Sequence, residues 1–159
     1  MEIIDRPGPP TGVKRMLWRL PIWLYRLHLG WLTGGRLMLL AHVGRVTGRR
    51  RTAVIEVVER DADGYVAASG FGPRADWYRN VQAHPEVTIT VGARTIPVTA
   101  HPLTAEQGAD LMAAYAPRHP ALARRLCRVM GYRVDGGAAD YREVGARIPF
   151  VRFAPRRRR

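Results

Sequence analysis

The chain has 159 residues, a formal net charge of +13 and a sequence pI near 11.3, which is the size of one ordinary domain with an extreme basic balance that does not by itself choose a partner. Lys14 is the only lysine, so 25 of the 26 basic residues are arginine, the side chain that forks carboxylates and phosphates. Cys127 is the single cysteine, which excludes an intrachain disulfide and a cysteine-based zinc site and fits a reducing, cytoplasmic setting.

The opening "MEIIDRPGPPTG" is acidic and proline-rich where a secretory leader carries a basic segment, so no leader is expected. Residues 1–35 read as an N-terminal helical extension. Within it, "VKRMLWRLPIWLYRLHLGWL" at 13–32 interleaves Trp18, Trp23, Tyr25 and Trp31 with Lys14, Arg15, Arg19, Arg26 and His28. Charges interrupt every run long enough to cross a bilayer. Pro21 can open a second helix, which predicts two short amphipathic pieces. Such a segment either lies on an anionic membrane surface at the inner face of the cell membrane or covers the domain's own ligand pocket.

Short strands follow. "RLMLLAHV" predicts strand one, the turn "GRVTGRR" comes next, and "TAVIEVVER" predicts strand two with alternation through Val54, Glu56 and Val58. "DADG" predicts a hairpin turn into a third strand, "YVAASG". "FGPRADWYRNVQAHP" reads as a loop and a short helix with Asp76 as its N-cap and His84-Pro85 at its end. "EVTITV" and "TIPVTAHPL" predict strands four and five around "GAR". Thr104 and Gln107 form a capping box ahead of "GADLMAAYA", and "PALARRLCRVMG" reads as a second late helix ended by Gly131. Cys127 lies in that helix and reads as a small hydrophobe. "RIPFVRFAP" predicts strand six, ahead of a basic tail at 156–159. Six short strands without a strand–helix rhythm predict a mainly β, α+β domain over 36–155: an antiparallel barrel decorated with helices.

The turn between strands one and two poses the functional question. A tight hairpin needs its glycines but not its arginines, whose charges repel one another unless solvent or a bound anion offsets them. Gly48 permits close backbone approach, Thr47 and Thr52 offer hydroxyls, and the arginines offer bidentate forks. "GRVTGR" matches neither glycine-rich nucleotide loop pattern, because it joins two strands.

An ordered set of motifs, "GRVTGRRRT", "YVAASG", "DWYRN" with "AHPEV", and "IPFVRF", resembles the deazaflavin-dependent nitroreductase-like oxidoreductases across residues 36–155. The resemblance implies a split β-barrel of the FMN-binding-protein type and binding of coenzyme F420, an 8-hydroxy-5-deazaflavin with an anionic phosphate and glutamate tail. It places Arg45, Thr47, Gly48, Arg49, Arg51 and Thr52 around that tail. Ala68, Ser69, Gly70 and Phe71 would stand by the ring system, and Trp77, Tyr78 and Asn80 match the family's W-Y-x-N element. Trp77 and Tyr78 also read as core plugs. Val46 and Gly70 stand where nitroreductase-type members tend to have lysine, so tail binding would lean on Arg49, Arg50, Arg51 or Arg74. Tyr115, His119 and Tyr132 are candidate proton donors, with ordinary packing as the alternative for each.

"ASGFGPRADWYRN" and the hydrophobic N-terminus resemble the family's membrane-associated, lipid-linked branch. The implied activity is hydride transfer between reduced F420 and an apolar or lipid-like acceptor: an activated alkene, a quinone or a nitro compound. An inactive split-barrel lipid or fatty-acid carrier and an FMN-dependent oxidoreductase on the same fold are the alternatives. Nucleic acid is not an expected partner, since the arginines are scattered and no binding motif is present. No metal-ligand spacing and no hydrolase elbow is found. A monomer and a homodimer both remain open.

Overall fold

The computed structural model describes residues 1–4 and 36–157. The expected N-terminal helices and the membrane-facing segment 13–32 lie outside the described residues. Among those described, no helix is long and apolar enough to cross a membrane.

The predicted hairpin forms from β2 (Leu37–Val43) and β3 (Arg50–Asp61), and β4 (Gly64–Ala68) follows the "DADG" turn. After a short 3₁₀ turn at Gly72–Arg74 comes α1 (Asp76–Ala83). Next are β5 (Glu86–Val91), β6 (Arg94–Pro102), α2 (Ala105–Arg118) and α3 (Pro120–Val129). The chain ends with α4 (Ala138–Arg147) and β8 (Phe150–Pro155). Two-residue strands β1 (Glu2–Ile3) and β7 (Tyr132–Arg133) pair with each other.

The six longer strands close into a barrel in the order β2-β3-β4-β8-β6-β5, with every pairing antiparallel. Closure removes the free edges that a six-stranded sheet would otherwise expose. Alternation decides which side chains point inward. Met38 and Leu40 of β2, Ile55 of β3, Tyr65 and Ala67 of β4, Val87 and Ile89 of β5 and Phe153 of β8 fill the interior, and Trp77 and Val81 of α1 join that cluster. A second core lies outside the barrel wall, where Val58, Val66 and Phe150 meet Leu111, Met112, Tyr115, Cys127, Tyr132, Tyr141 and Val144 from the helical segment. Because β4 is packed on both faces, its run reads as continuously apolar instead of alternating. A register shift between Val57 and Glu59 interrupts the β3–β4 ladder.

The capping box forms as predicted: the Thr104 hydroxyl accepts from the Gln107 amide at 3.2 Å, and Gln107 Oε1 accepts from the Thr104 amide at 2.9 Å. Two local expectations need correction. Ala75, not Asp76, caps α1, and Asp76 is the first helical residue, where its carboxylate faces the positive end of the helix. Helix α4 has no counterpart in the sequence reading, since its inward face consists of Tyr141, Val144 and Gly145 alone.

Candidate functional site

The basic turn is closed by its own hydrogen bonds and is latched to α1. Gly48 has φ +67°, a left-handed conformation that favours glycine. Its amide donates to the Gly44 carbonyl at 2.8 Å, and the Gly44 amide donates to the Arg49 carbonyl at 2.9 Å. Gly44 must lack a side chain, because a Cβ there would come within 2.7 Å of Thr47 Oγ1 and 3.4 Å of Arg51 Nε. Thr47 Oγ1 in turn accepts from the Arg49 amide at 3.3 Å, a local turn bond that fixes the loop.

Arg45 ties this turn to the helix. Its amide and its Nη1 both donate to Asn80 Oδ1, at 3.1 and 2.8 Å, and its Nη1 and Nη2 each lie 3.2 Å from Asp76 Oδ1. Asn80 is 2% exposed, and its Nδ2 lies 3.0 Å from His42 Nδ1. Since Oδ1 already accepts from Arg45, the amide nitrogen must donate to the ring. His42 is thus neutral at Nδ1 and carries its proton on Nε2. Burial, and then the charge of Arg51, push the His42 pKa down to about 4.

This arrangement divides the arginines by role. The Arg45 guanidinium is shared between Asp76 and Asn80. Arg49, Arg50 and Arg51 are exposed and have no carboxylate within salt-bridge distance among the described residues, and the same holds for Arg74 and Arg79. Thr52, next along β3, is also exposed. One end of the barrel therefore presents uncompensated guanidinium groups on a fixed backbone, the electrostatic requirement for holding a multiply charged anion.

The segment after β4 adjoins this end through α1. Ser69 is fully buried, and its hydroxyl donates to the Gly72 carbonyl at 2.6 Å, so that donor is committed to the turn. The Ser69 amide donates to the Pro149 carbonyl at 2.9 Å. Around Gly70 the space is open: a Cβ there would meet nothing within 4 Å. Ala68 is half-buried opposite Phe150 of β8, and Phe71 is 37% exposed. Trp77 is buried in the barrel core, tilted against Phe153 at 6.4 Å between centroids, with Tyr78 edge-on at 6.0 Å. Trp77 is a plug for the barrel end, and the half-buried Tyr78 packs beside it.

The two phenols differ in position. Tyr115 is buried in the helical core, its ring 5.0 Å from that of His119, and burial followed by the nearby Glu56 carboxylate raises its pKa. Tyr132, also buried, lines a small depression with Gly72, Met130, Arg147, Ile148 and Pro149. That depression brings Tyr132 beside the turn after β4. His119 is exposed between α2 and α3. Cys127 is fully buried, and desolvation pushes its thiol up to about 11, so it has no thiolate character. No group of three or more metal-ligating side chains occurs among the described residues.

Sequence reasoning missed His42 and Gly44. The signal for His42 was its place in "LMLLAHV", where it continues the inward set of Met38 and Leu40. A polar side chain in an apolar stripe needs a partner.

The profile of the F420H(2)-dependent quinone reductases matches residues 19–130 of this chain, which include the basic turn, the segment after β4, α1 and Tyr115. The chain belongs to this family. A curated F420H(2)-dependent quinone reductase of Mycobacterium tuberculosis strain H37Rv is 41% identical over 69 residues, which are 42% of this chain and 46% of that protein. The match thus spans about half the length of that relative. The solved structure of an F420-H2 dependent reductase superposes with a TM-score of 0.50 at 22% identity, covering 74% of this chain and 93% of the other. A pyridoxamine 5'-phosphate oxidase-related, FMN binding protein of Nostoc punctiforme gives 0.53 at 14% identity, covering 86% and 80%. At such identities the structural matches establish the fold, and the fold is the split β-barrel. Tyr132, α4 and β8 lie beyond the family match.

Proposed function

We propose that this chain is an oxidoreductase that reduces quinones with the reduced deazaflavin coenzyme F420. The observation that carries the reading is the exposed run Arg49, Arg50 and Arg51, without carboxylate partners among the described residues, on a turn pinned to α1 by Arg45 and Asn80. This donor set fits the coenzyme: its phosphate and glutamate tail needs several cationic forks, and guanidinium binds such oxygens bidentately. Thr47, Gly48, Arg49, Arg51 and Thr52 hold the tail, with Arg50 and Arg74 adding charge. Arg45 acts by fixing the turn, since Asp76 and Asn80 already occupy its guanidinium. Ala68, Ser69, Gly70 and Phe71 border the ring system, where Gly70 leaves open space.

The bound reduced coenzyme supplies a hydride, and the protein supplies position and a proton. A quinone that accepts hydride needs that proton to leave as the quinol. Tyr132, beside Gly72, is the better-placed donor. Tyr115 sits among the helices, and burial raises its pKa above that of an ordinary phenol, which makes it slower to give up a proton. Residues 13–32 are the segment we assign to an anionic membrane surface, where lipid-soluble quinones partition.

The test is turnover. With the quinone menadione as acceptor, the purified chain should oxidise reduced F420, read as the return of the oxidised coenzyme's absorbance. Tyr132→Phe should lower that rate about tenfold or more without changing F420 affinity. A folded protein that binds F420 and passes no electrons to any quinone would overturn the reading in favour of a binding protein.

A further inference from the structure

We propose that His42 is a ligand-binding residue of this site, donating its Nε2–H to an oxygen atom of the cofactor held by the arginine turn; the inference rests on the deazaflavin reading above. Three observations carry it.

First, His42 is held in one tautomer by a chain of bonds that begins outside it. Asn80 Oδ1 accepts twice from Arg45, so Asn80 Nδ2 must donate to His42 Nδ1, and the ring proton is left on Nε2. The ring is 4% exposed, and protonating it would set an Nδ1–H against the Asn80 amide hydrogens. It is a fixed, neutral donor.

Second, that donor has no acceptor among the described residues, because the bond to Asn80 at Nδ1 is the ring's one described hydrogen bond. His42 stands at the barrel end, where β2 runs into the turn at 44–49. A polar N–H in a nearly buried ring calls for an acceptor there.

Third, the neighbourhood is the cofactor's. His42 stands directly opposite Arg51 across the β2–β3 ladder, so the two side chains share a face of the sheet. Arg51 lies back over Gly44, two residues beyond His42. A ligand oxygen drawn to Arg51 comes to the side of the barrel end that His42 occupies. A neutral N–H beside a guanidinium adds directional selection to an attraction that charge alone leaves diffuse.

Two substitutions separate this donor from the latch. In His42→Asn the side-chain oxygen takes the place of Nδ1, so the bond from Asn80 is kept and the donor is lost. In His42→Gln the amide nitrogen takes the place of Nε2, so the donor is kept and the latch is lost. Full-length wild type and both variants would be titrated with oxidised F420 by its fluorescence, with melting temperatures recorded without the coenzyme. His42→Asn should melt close to wild type and bind about tenfold more weakly, the loss of one hydrogen bond. His42→Gln should melt lower and bind within about threefold of wild type.

Unchanged affinity in His42→Asn, or equal weakening in the two variants, would overturn the proposal and reduce His42 to a structural partner of Asn80. Nitrogen-15 spectra of wild-type histidine side chains provide a check that needs no variant. The His42 Nε2–H resonance should shift on adding F420, and a resonance that stays in place overturns the proposal. Wild type that binds no F420 at all refutes the deazaflavin reading itself.

Discussion

His42 shows how one side chain links stability, protonation and site geometry. Its pKa falls from 6.5 to about 4 because burial strips the charged ring of water and Arg51 repels it, together outweighing the attraction of Asp76. The unfolded chain binds the extra proton between those two values and the folded chain does not. The contribution to stability is therefore complete above about pH 6.5 and is lost as the pH falls toward 4. At full effect it is up to about 3 kcal/mol. Thermal melts from pH 7.5 to 4.5 should show wild type losing stability steeply below pH 6.5, whereas His42→Asn, which has nothing to titrate there, should follow a shallower curve. Parallel curves would mean that His42 is not neutral in the fold. At this scale the sequence was partly legible. The glycine and arginine content of "GRVTGRR" marks a tight basic turn, and Asn80 stands in "DWYRN". That the two are bonded to each other, with His42 behind them, depends on α1 packing across the barrel end, and no local pattern encodes that approach.

Among the helices, the crossing of α2 and α4 carries a sharp steric requirement. Gly108 and Gly145 meet backbone to backbone, and a Cβ on either would collide with the carbonyl oxygen of the other. On Gly145 it would also lie 2.8 Å from Met112 Cβ. Alanine would favour an isolated helix by about 1 kcal/mol, but overpacking at this contact should outweigh that gain. Gly145→Ala is expected to lower unfolding free energy by about 1–3 kcal/mol in urea denaturation, and a neutral or stabilising result would mean the helices separate easily. The same contact explains why α4 escaped the sequence reading. Helix α2 announces itself through its capping box and the apolar set Leu111, Met112 and Tyr115. In α4, glycine takes the place of a large apolar residue at the closest approach, and the periodicity that marks an amphipathic helix is thin. Strands were more legible, since β2, β5 and β8 alternate or run apolar between clear turn signals. Their order around the barrel was not, because β8 inserts between β4 and β6 from the far end of the chain.

At the scale of the whole molecule, two apolar cores share one barrel wall, and the turn at 44–49 and helix α1 meet at one end of the barrel. Of the net charge of +13, a part is gathered there, where Arg49, Arg50 and Arg51 have no carboxylate partner among the described residues and sit on a backbone held by glycine conformation and by Arg45. Elsewhere many arginines are tied up: Arg118 with Glu59, Arg142 with Asp110, Arg147 with Glu143 and Arg152 with Asp61. Composition alone reported the total charge without this division between paired and unpaired groups. The central claim is that the unpaired set holds an anionic deazaflavin, and the most direct test is a fluorescence titration with oxidised F420 of wild type and Arg51→Ala, with FMN as competitor. Saturable binding that FMN does not displace, that weakens as salt is raised and that falls about tenfold or more in Arg51→Ala is the predicted result. Equal affinity in the two proteins, or no binding in either, would contradict it.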